Sequence, residues 1–418
     1  MDRLPALRLL LFVLVFTTLS AVAQRPPAAQ GPGWTQFGGP RRNFTAEVKA
    51  LADSWPAGGP KQLWKRELGE GFSPLAVDGD TVYTMYQRGE FELAIAMDAE
   101  TGFTLWQAPY NAPITSKMSR APGPRATPLI VADAVFTVGA TGKLHRFNKS
   151  TGKVDWAVDL YDTFKPPLQD EYYAASPLAY RDTLIVPVGA PGASVVAFDQ
   201  GSGRVAWKAH DLRISYASPI LIDVDGQAQA VLVMESEVIG IDPANGALLW
   251  THPHANRTKT NVSTPVWGPG NLLFVSSAYD SGGRMLKLSR SGASTSVEEV
   301  WYSRDLRVHV ANAIRIGDTI YGSSGDFGPA FFSALDVRTG ATRWQQRDVV
   351  KASLVLADGK FIMLNEKGEL LLARPGESGL HILATAQVLT PTSWTPPSLA
   401  GTTLYLRDRQ HALALALK

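Results

Sequence analysis

One short frame recurs along the chain and restricts its fold more than any other feature. It reads Ala96-Met-Asp98-Ala-Glu-Thr101-Gly102-Phe-Thr-Leu-Trp106 and returns as Phe147-Asn148-Lys-Ser-Thr151-Gly152-Lys-Val-Asp-Trp156 and Ala197-Phe-Asp199-Gln-Gly-Ser202-Gly203-Arg-Val-Ala-Trp207. Two further copies are Gly240-Ile-Asp242-Pro-Ala-Asn245-Gly246-Ala-Leu-Leu-Trp250 and Ala334-Leu-Asp336-Val-Arg-Thr339-Gly340-Ala-Thr-Arg-Trp344. Self-similarity at a period of roughly 40 to 50 residues marks a propeller or solenoid. Each copy reads as a hairpin: alternating residues, a turn in which Asp or Asn accepts backbone N–H groups and Gly takes a positive φ, then a strand ending in Trp. Trp64, Trp106, Trp156, Trp207, Trp250, Trp301 and Trp344 are expected to fill the gaps between neighbouring sheets, a structural role.

The repeats also have a common opening. Ser73-Pro74, Thr127-Pro128, Ser176-Pro177, Ser218-Pro219 and Thr264-Pro265 each precede an apolar strand, and stretches starting at Asn312, Ser353 and Ser398 follow the pattern without the proline in the same place. Four short strands per repeat make one propeller blade. The openings number eight, but the last repeat has only three strands before Lys418. The strand around Leu63-Trp64-Lys65 has no hairpin ahead of it and is expected to complete that blade, closing the ring and removing its last open edge. The chain is therefore expected to be an all-β, eight-bladed propeller of four-stranded antiparallel blades. Blade five has a longer hairpin, and Leu383 stands where the Trp of blade seven is expected.

Met1 to Ala23 combines Arg3 and Arg8, an apolar run and Ala21-Val22-Ala23, the signature of a cleaved secretory signal peptide (residues 1–23). Residues 24–60 form a leader and opening segment, with Trp34-Thr-Gln-Phe-Gly38-Gly39-Pro40-Arg41-Arg42-Asn43 its aromatic and glycine-rich part, and 61–418 the propeller. No later run is long and apolar enough to span a membrane, so a monomer in the periplasm or outside the cell is expected. The net charge of +2 gives no electrostatic case for nucleic acid. With no cysteine, the chain has no disulfide, no thiolate metal site and no lipid-bearing Cys.

The Ala-x-Asp-x-x-Thr-Gly-x-x-x-Trp frame resembles the tryptophan-docking motif of the PQQ-like β-propeller repeat family, over everything from Trp34 onward. The opening segment, Gly58-Gly59-Pro60-Lys-Gln-Leu-Trp64-Lys and Trp394-Thr-Pro396 through Arg407 are similar to a secreted bacterial branch labelled PQQ-binding-like. The resemblance implies the fold and leaves the activity open, because the motif occurs in quinone-dependent dehydrogenases and in non-enzymatic propellers such as the lipoprotein of the outer-membrane barrel-assembly machinery.

Activity in such a fold belongs to the loops that lead into the innermost strands and crowd round one mouth of the channel. Those loops carry Arg125, Glu171, Tyr172, Tyr173, Arg213, Tyr216, Lys259, Asn261, His309, Asn312, Lys351 and Trp394. The cationic and aromatic members suit a planar anion or a peptide carboxylate. A PQQ-dependent dehydrogenase of the family needs grouped oxygens for Ca²⁺, a separate carboxylate base and a flat aromatic under the quinone. Trp394 is the candidate aromatic, Asn261 or Asn312 a candidate ligand, and Arg125 or Lys351 a candidate cation near the quinone. Glu171 is the only carboxylate in the set, and one carboxylate cannot be both ligand and base. Asp223-Val-Asp225-Gly226 reads as a hairpin turn rather than a calcium loop, and His252-Pro-His254 as an exposed loop. The sequence favours a binding or scaffold module for a protein, peptide or small ligand. A PQQ-dependent alcohol or sugar dehydrogenase is the alternative, and an outer-membrane assembly factor the third reading, against which the missing cysteine weighs.

Overall fold

The computed structural model describes residues 33–113, 121–325, 330–347, 349 and 351–418. The signal peptide read from Met1 to Ala23 lies outside these residues. Eight sheets form the ring. Blade one runs Ala76–Asp78, Thr81–Arg88, Phe91–Asp98 and Thr104–Asn111 from the channel outward, and the next six repeat the order. Blade eight takes Ser398–Ala400, Thr403–Arg407 and His411–Ala416 from the end of the chain and Lys61–Glu67 as its outermost strand, with Trp64 opposite Ala414. The expected closure is thus observed. The single helix among the described residues is Leu160–Phe164, capped by Asp159. None is long and apolar enough to cross a membrane.

The repeated frame holds the blades to one another. Asp98 Oδ1 accepts from Thr101 N (2.8 Å) and Thr101 Oγ1 (2.7 Å), and Asn148 makes the same turn with Thr151. A bulge at the residue before each Trp, as between the Ala96–Trp106 and Met97–Thr104 pairs, rotates the indole off its own sheet and onto the turn of the next blade. Trp64 Nε1 donates to Ala99 O (2.9 Å), Trp106 to Lys149 O (2.8 Å), Trp156 to Gln200 O (3.0 Å) and Trp301 to Val337 O (2.7 Å). Each indole also lies flat on the turn glycine: a methyl added at Gly152 would stand 2.5 Å from Trp106. The glycine therefore meets two demands, a φ of +68° and contact with a ring.

Two blades depart from this pattern. In blade seven the bulged residue is Leu383, and Ala384, opposite Leu372, occupies the position Trp holds elsewhere, one residue later than the sequence reading placed it. In blade five the turn glycine, Gly292, faces open space and does not receive Trp250, which donates instead to Gln229 Oε1 of its own blade (2.7 Å). The link between blades four and five passes through Asp225, which accepts from Asn271 Nδ2 (2.8 Å) and Arg290 N (3.1 Å). Asp223-Val-Asp225-Gly226 is thus a hairpin turn, as expected, with Gly226 N on Asp223 Oδ1 (2.8 Å).

The opening segment enters the channel and crosses it. Val77 N of blade one donates to Trp34 O (2.9 Å) and Ile130 N of blade two to Thr35 O (2.8 Å). The buried Arg42 guanidinium donates to Pro219 O of blade four (2.7 Å) and to Pro177 O of blade three. Leu356 N of blade seven donates to Phe44 O (2.8 Å), and Thr45–Ala46 then add as a fifth, parallel strand to the inner edge of that blade. The segment plugs the channel and separates its two mouths.

Candidate functional site

The loops that lead into the innermost strands enclose a cavity of about 390 Å³ above the plug. Phe37 and Phe44 of the crossing segment contribute its apolar floor. One wall is Phe72 with Trp394 stacked on it, centroids 5.7 Å apart and planes 26° apart. Trp394 remains 37% exposed, a large apolar surface at the mouth. Opposite stand Tyr216, Tyr279 and His309, the last two joined by a 2.6 Å hydrogen bond between Tyr279 Oη and His309 Nε2.

Arg125 is the best-held cation. It donates to Ala121 O (2.7 Å) and Gly123 O (3.1 Å), pairs with Glu171 at 3.4 Å, and lies over the rings of Phe72 and Tyr172 at 5.9 and 5.7 Å. Burial lowers its pKa from the usual arginine value. Burial likewise pushes the Tyr216 hydroxyl up to about 12, and that oxygen accepts from Glu171 N (3.2 Å). Four further rim cations also have acidic partners: Arg213 and Lys259 meet Glu235 (2.8 and 3.0 Å), Lys351 meets Glu366 (3.8 Å), and Arg409 meets Glu70. The mouth is an apolar cup inside a charge-balanced rim.

Of the residues singled out in the sequence, Arg125, Glu171, Tyr216, His309, Asn312 and Trp394 line this cavity, and Tyr172, Tyr173, Arg213, Lys259, Asn261 and Lys351 do not. Tyr173 is buried and donates to Pro187 O (3.0 Å). Asn261 is fully buried, its Nδ2 on Met234 O (2.7 Å) and its Oδ1 accepting from Ser277 Oγ (2.6 Å). Asn312 ties blade six to Leu354 of blade seven through both its amide atoms. Lys259 and Tyr172 hold left-handed backbone at the rim, at φ +59° and +60°. Phe37, Phe44, Phe72, Tyr279 and Arg409 were not singled out. The aromatic character of the opening segment was the available signal for the first two, but nothing local indicates that it crosses the channel. His252-Pro-His254 is not an exposed loop: His254 is fully buried with Nε2 on Ser277 Oγ (2.9 Å), and His252 is half-buried on the outer strand of blade four.

These residues do not fit PQQ with Ca²⁺. The amide groups of Asn261 and Asn312 are committed to hydrogen bonds, and Glu171, the one carboxylate of the set, is paired with Arg125. Among the described residues no three His, Cys, Asp or Glu side chains are grouped to hold a metal ion. Purified protein given PQQ and Ca²⁺ is therefore expected to reduce no dye with a panel of alcohols and to show no thermal shift. A saturable shift of several degrees would count against this assignment of the side chains.

Behind the cup, between blades one and two, the fully buried Glu92 accepts from Ala140 N (2.8 Å) and faces the Tyr110 hydroxyl across Gly139, where any Cβ would collide with both. Burial raises the Glu92 carboxyl to about 7. A folded pKa above the unfolded value of about 4.3 means that this group favours folding most at low pH, and that the contribution is lost as pH rises from about 4 through 7. Glu92→Gln is expected to be the more stable form at pH 8, by about 2 kcal/mol, with the difference shrinking toward pH 5. Denaturant titrations at both values check it, and a pH-independent difference would refute it.

The family model described as outer membrane protein assembly factor BamB matches residues 46–210 and 93–346. The outer membrane protein assembly factor BamB of Burkholderia pseudomallei is 23% identical over 362 residues, covering 75% of this chain and 88% of that protein. Among solved structures, BamB from Moraxella catarrhalis superposes with a TM-score of 0.61 at 16% identity, covering 85% of this chain and 99% of the other. The quinohemoprotein alcohol dehydrogenase from Comamonas testosteroni gives 0.53 at 11% identity, covering 93% and 81%. At these identities the structural likeness speaks for the fold alone.

Proposed function

The chain belongs to the family described as outer membrane protein assembly factor BamB, and from that premise we propose that it is a non-catalytic docking module of outer-membrane protein assembly, working in the periplasm and holding a protein partner at the cup. The observation that carries this reading is the make-up of the mouth. An exposed aromatic wall and apolar floor inside a ring of ion pairs is the anatomy of a protein interface, with a desolvated centre and a polar rim. Because Arg125, Arg213, Lys259, Lys351 and Arg409 each have an acid beside them, these side chains favour a neutral apolar or aromatic anchor in the cup over a polyanion.

Deleting the gene in its own host is expected to lower the amount of folded outer-membrane barrel proteins, and the unaltered gene to restore it. Trp394→Ala removes the exposed half of the aromatic wall and is expected to weaken partner binding about 30-fold, in the range of an interface hot spot, with folding unchanged. Arg213→Ala at the exposed rim is expected to change affinity by less than about threefold. Full restoration of barrel levels by the Trp394→Ala gene would place the contact elsewhere.

A further inference from the structure

The plug leaves a second cavity, of about 460 Å³, at the opposite mouth of the channel. Its walls are inner strands of blades three to five and one side of the crossing segment, with Leu178, Ile220, Ile222, Val266 and Trp267 supplying apolar surface. The inner strand of blade four, Ile220–Val224, borders it. That strand is an edge of its sheet, and among the described residues no backbone hydrogen bond reaches its channel side. Leu221 is 41% exposed there. A free edge beside exposed apolar surface is a template for another strand.

The same channel already shows how such an edge is used. The crossing segment lays extended backbone against the inner edges of blades one, two and seven, the last as a two-residue parallel ladder at Thr45 and Ala46. At blades three and four it satisfies only the carbonyls of Pro177 and Pro219, with the Arg42 side chain, and leaves the strand after Pro219 unpaired. The open edge therefore continues an existing path of strand pairing round the ring. We propose that this mouth is a second docking site, taken by an extended segment of a partner protein with apolar side chains at alternate positions, which adds as a strand to Ile220–Val224. Backbone hydrogen bonds hold the segment, and every second side chain enters the cavity. The site faces away from the cup and does not depend on the reading of the cup.

The test uses the full chain and the peptide acetyl-Lys-Val-Thr-Val-Thr-Val-Lys-amide, with the same peptide N-methylated on every backbone amide as control, so that neither edge can pair. Amide hydrogen exchange is followed over residues 218–224 and over the occupied inner strand Ser353–Ala357. The unmethylated peptide is expected to slow exchange in Ile220–Val224 about tenfold at saturation, to leave Ser353–Ala357 unchanged, and to lose its effect when methylated. Leu221→Thr, a change at a partly exposed position, is expected to weaken the peptide about fivefold without altering the exchange of the free protein. No protection at millimolar peptide, equal protection by the methylated peptide, or protection confined to outer strands such as Thr104–Asn111 would each overturn the proposal. So would protection, without peptide, of the alternate amides in Ile220–Val224 that do not donate to Gln227–Val233: if it rises with protein concentration the occupant is a second copy, and if not it is this chain.

Discussion

Arg407→Met is expected to lose about 3 kcal/mol or more of stability, the largest effect of any single side chain at the ring seam. Arg407 is fully buried at the join of blades eight and one. Its guanidinium donates to Met85 O (2.7 Å), Ser73 O (3.2 Å) and Gly69 O (3.3 Å) of blade one and the strand before it. Burial lowers its pKa to about 10, because the charge is held away from water. Methionine removes that charge and nearly keeps the volume, but it offers no donor to Met85 O and Gly69 O and leaves Ser73 O with Thr84 Oγ1 alone (2.8 Å), and an orphaned buried acceptor costs about 1–3 kcal/mol. Denaturant unfolding checks it, with a fall in midpoint expected at unchanged slope. A loss below about 0.5 kcal/mol would mean that water or a backbone shift takes the place of the arginine.

Gly152→Ala is expected to cost about 3 kcal/mol, whereas Gly359→Ala costs only about 1. Both glycines are left-handed, at φ +68° and +67°, so both substitutions carry the same backbone strain. They differ in what a Cβ meets: Trp106 at 2.5 Å for Gly152, and open space for Gly359. The difference in melting temperature between the two variants thus isolates the price of displacing one docked indole. Equal losses would show that the Trp–Gly contact contributes nothing beyond the turn.

The ring itself was legible because its determinants are local. The Asp, Gly and Trp of each frame act within one turn or on the neighbouring turn, so repeated spacing carries the information, and Trp64 could be assigned to blade eight by counting strands. Ala384 was missed by one residue because a bulge leaves no mark in a sequence without the indole itself. The cup was half legible. Arg125, Tyr216 and Trp394 lie in loops whose position follows from the repeat, but whether a loop residue faces the cavity, as Trp394 does, or turns inward to hold carbonyls, as Asn261 does, depends on contacts between blades. Arg42 and Phe44 were out of reach for the same reason, since their partners belong to blades distant in sequence. The absent cysteine, weighed against the assembly-factor reading, concerns how a chain is tethered and carries no information about the propeller that the family comparison detects.

The outermost strand of blade eight is made before the other strands of the blades, and its partner His411–Ala416 after them. Until that final stretch is delivered, Lys61–Glu67 has nothing to pair with, and Arg407 is not yet there to bind blade one. Completion of the wheel therefore waits for His411–Ala416 rather than for how fast individual hairpins form. A product cut short by a single blade would keep most of its hairpins, yet offer raw strand edges on both sides of the gap to whatever chaperone or protease meets it first.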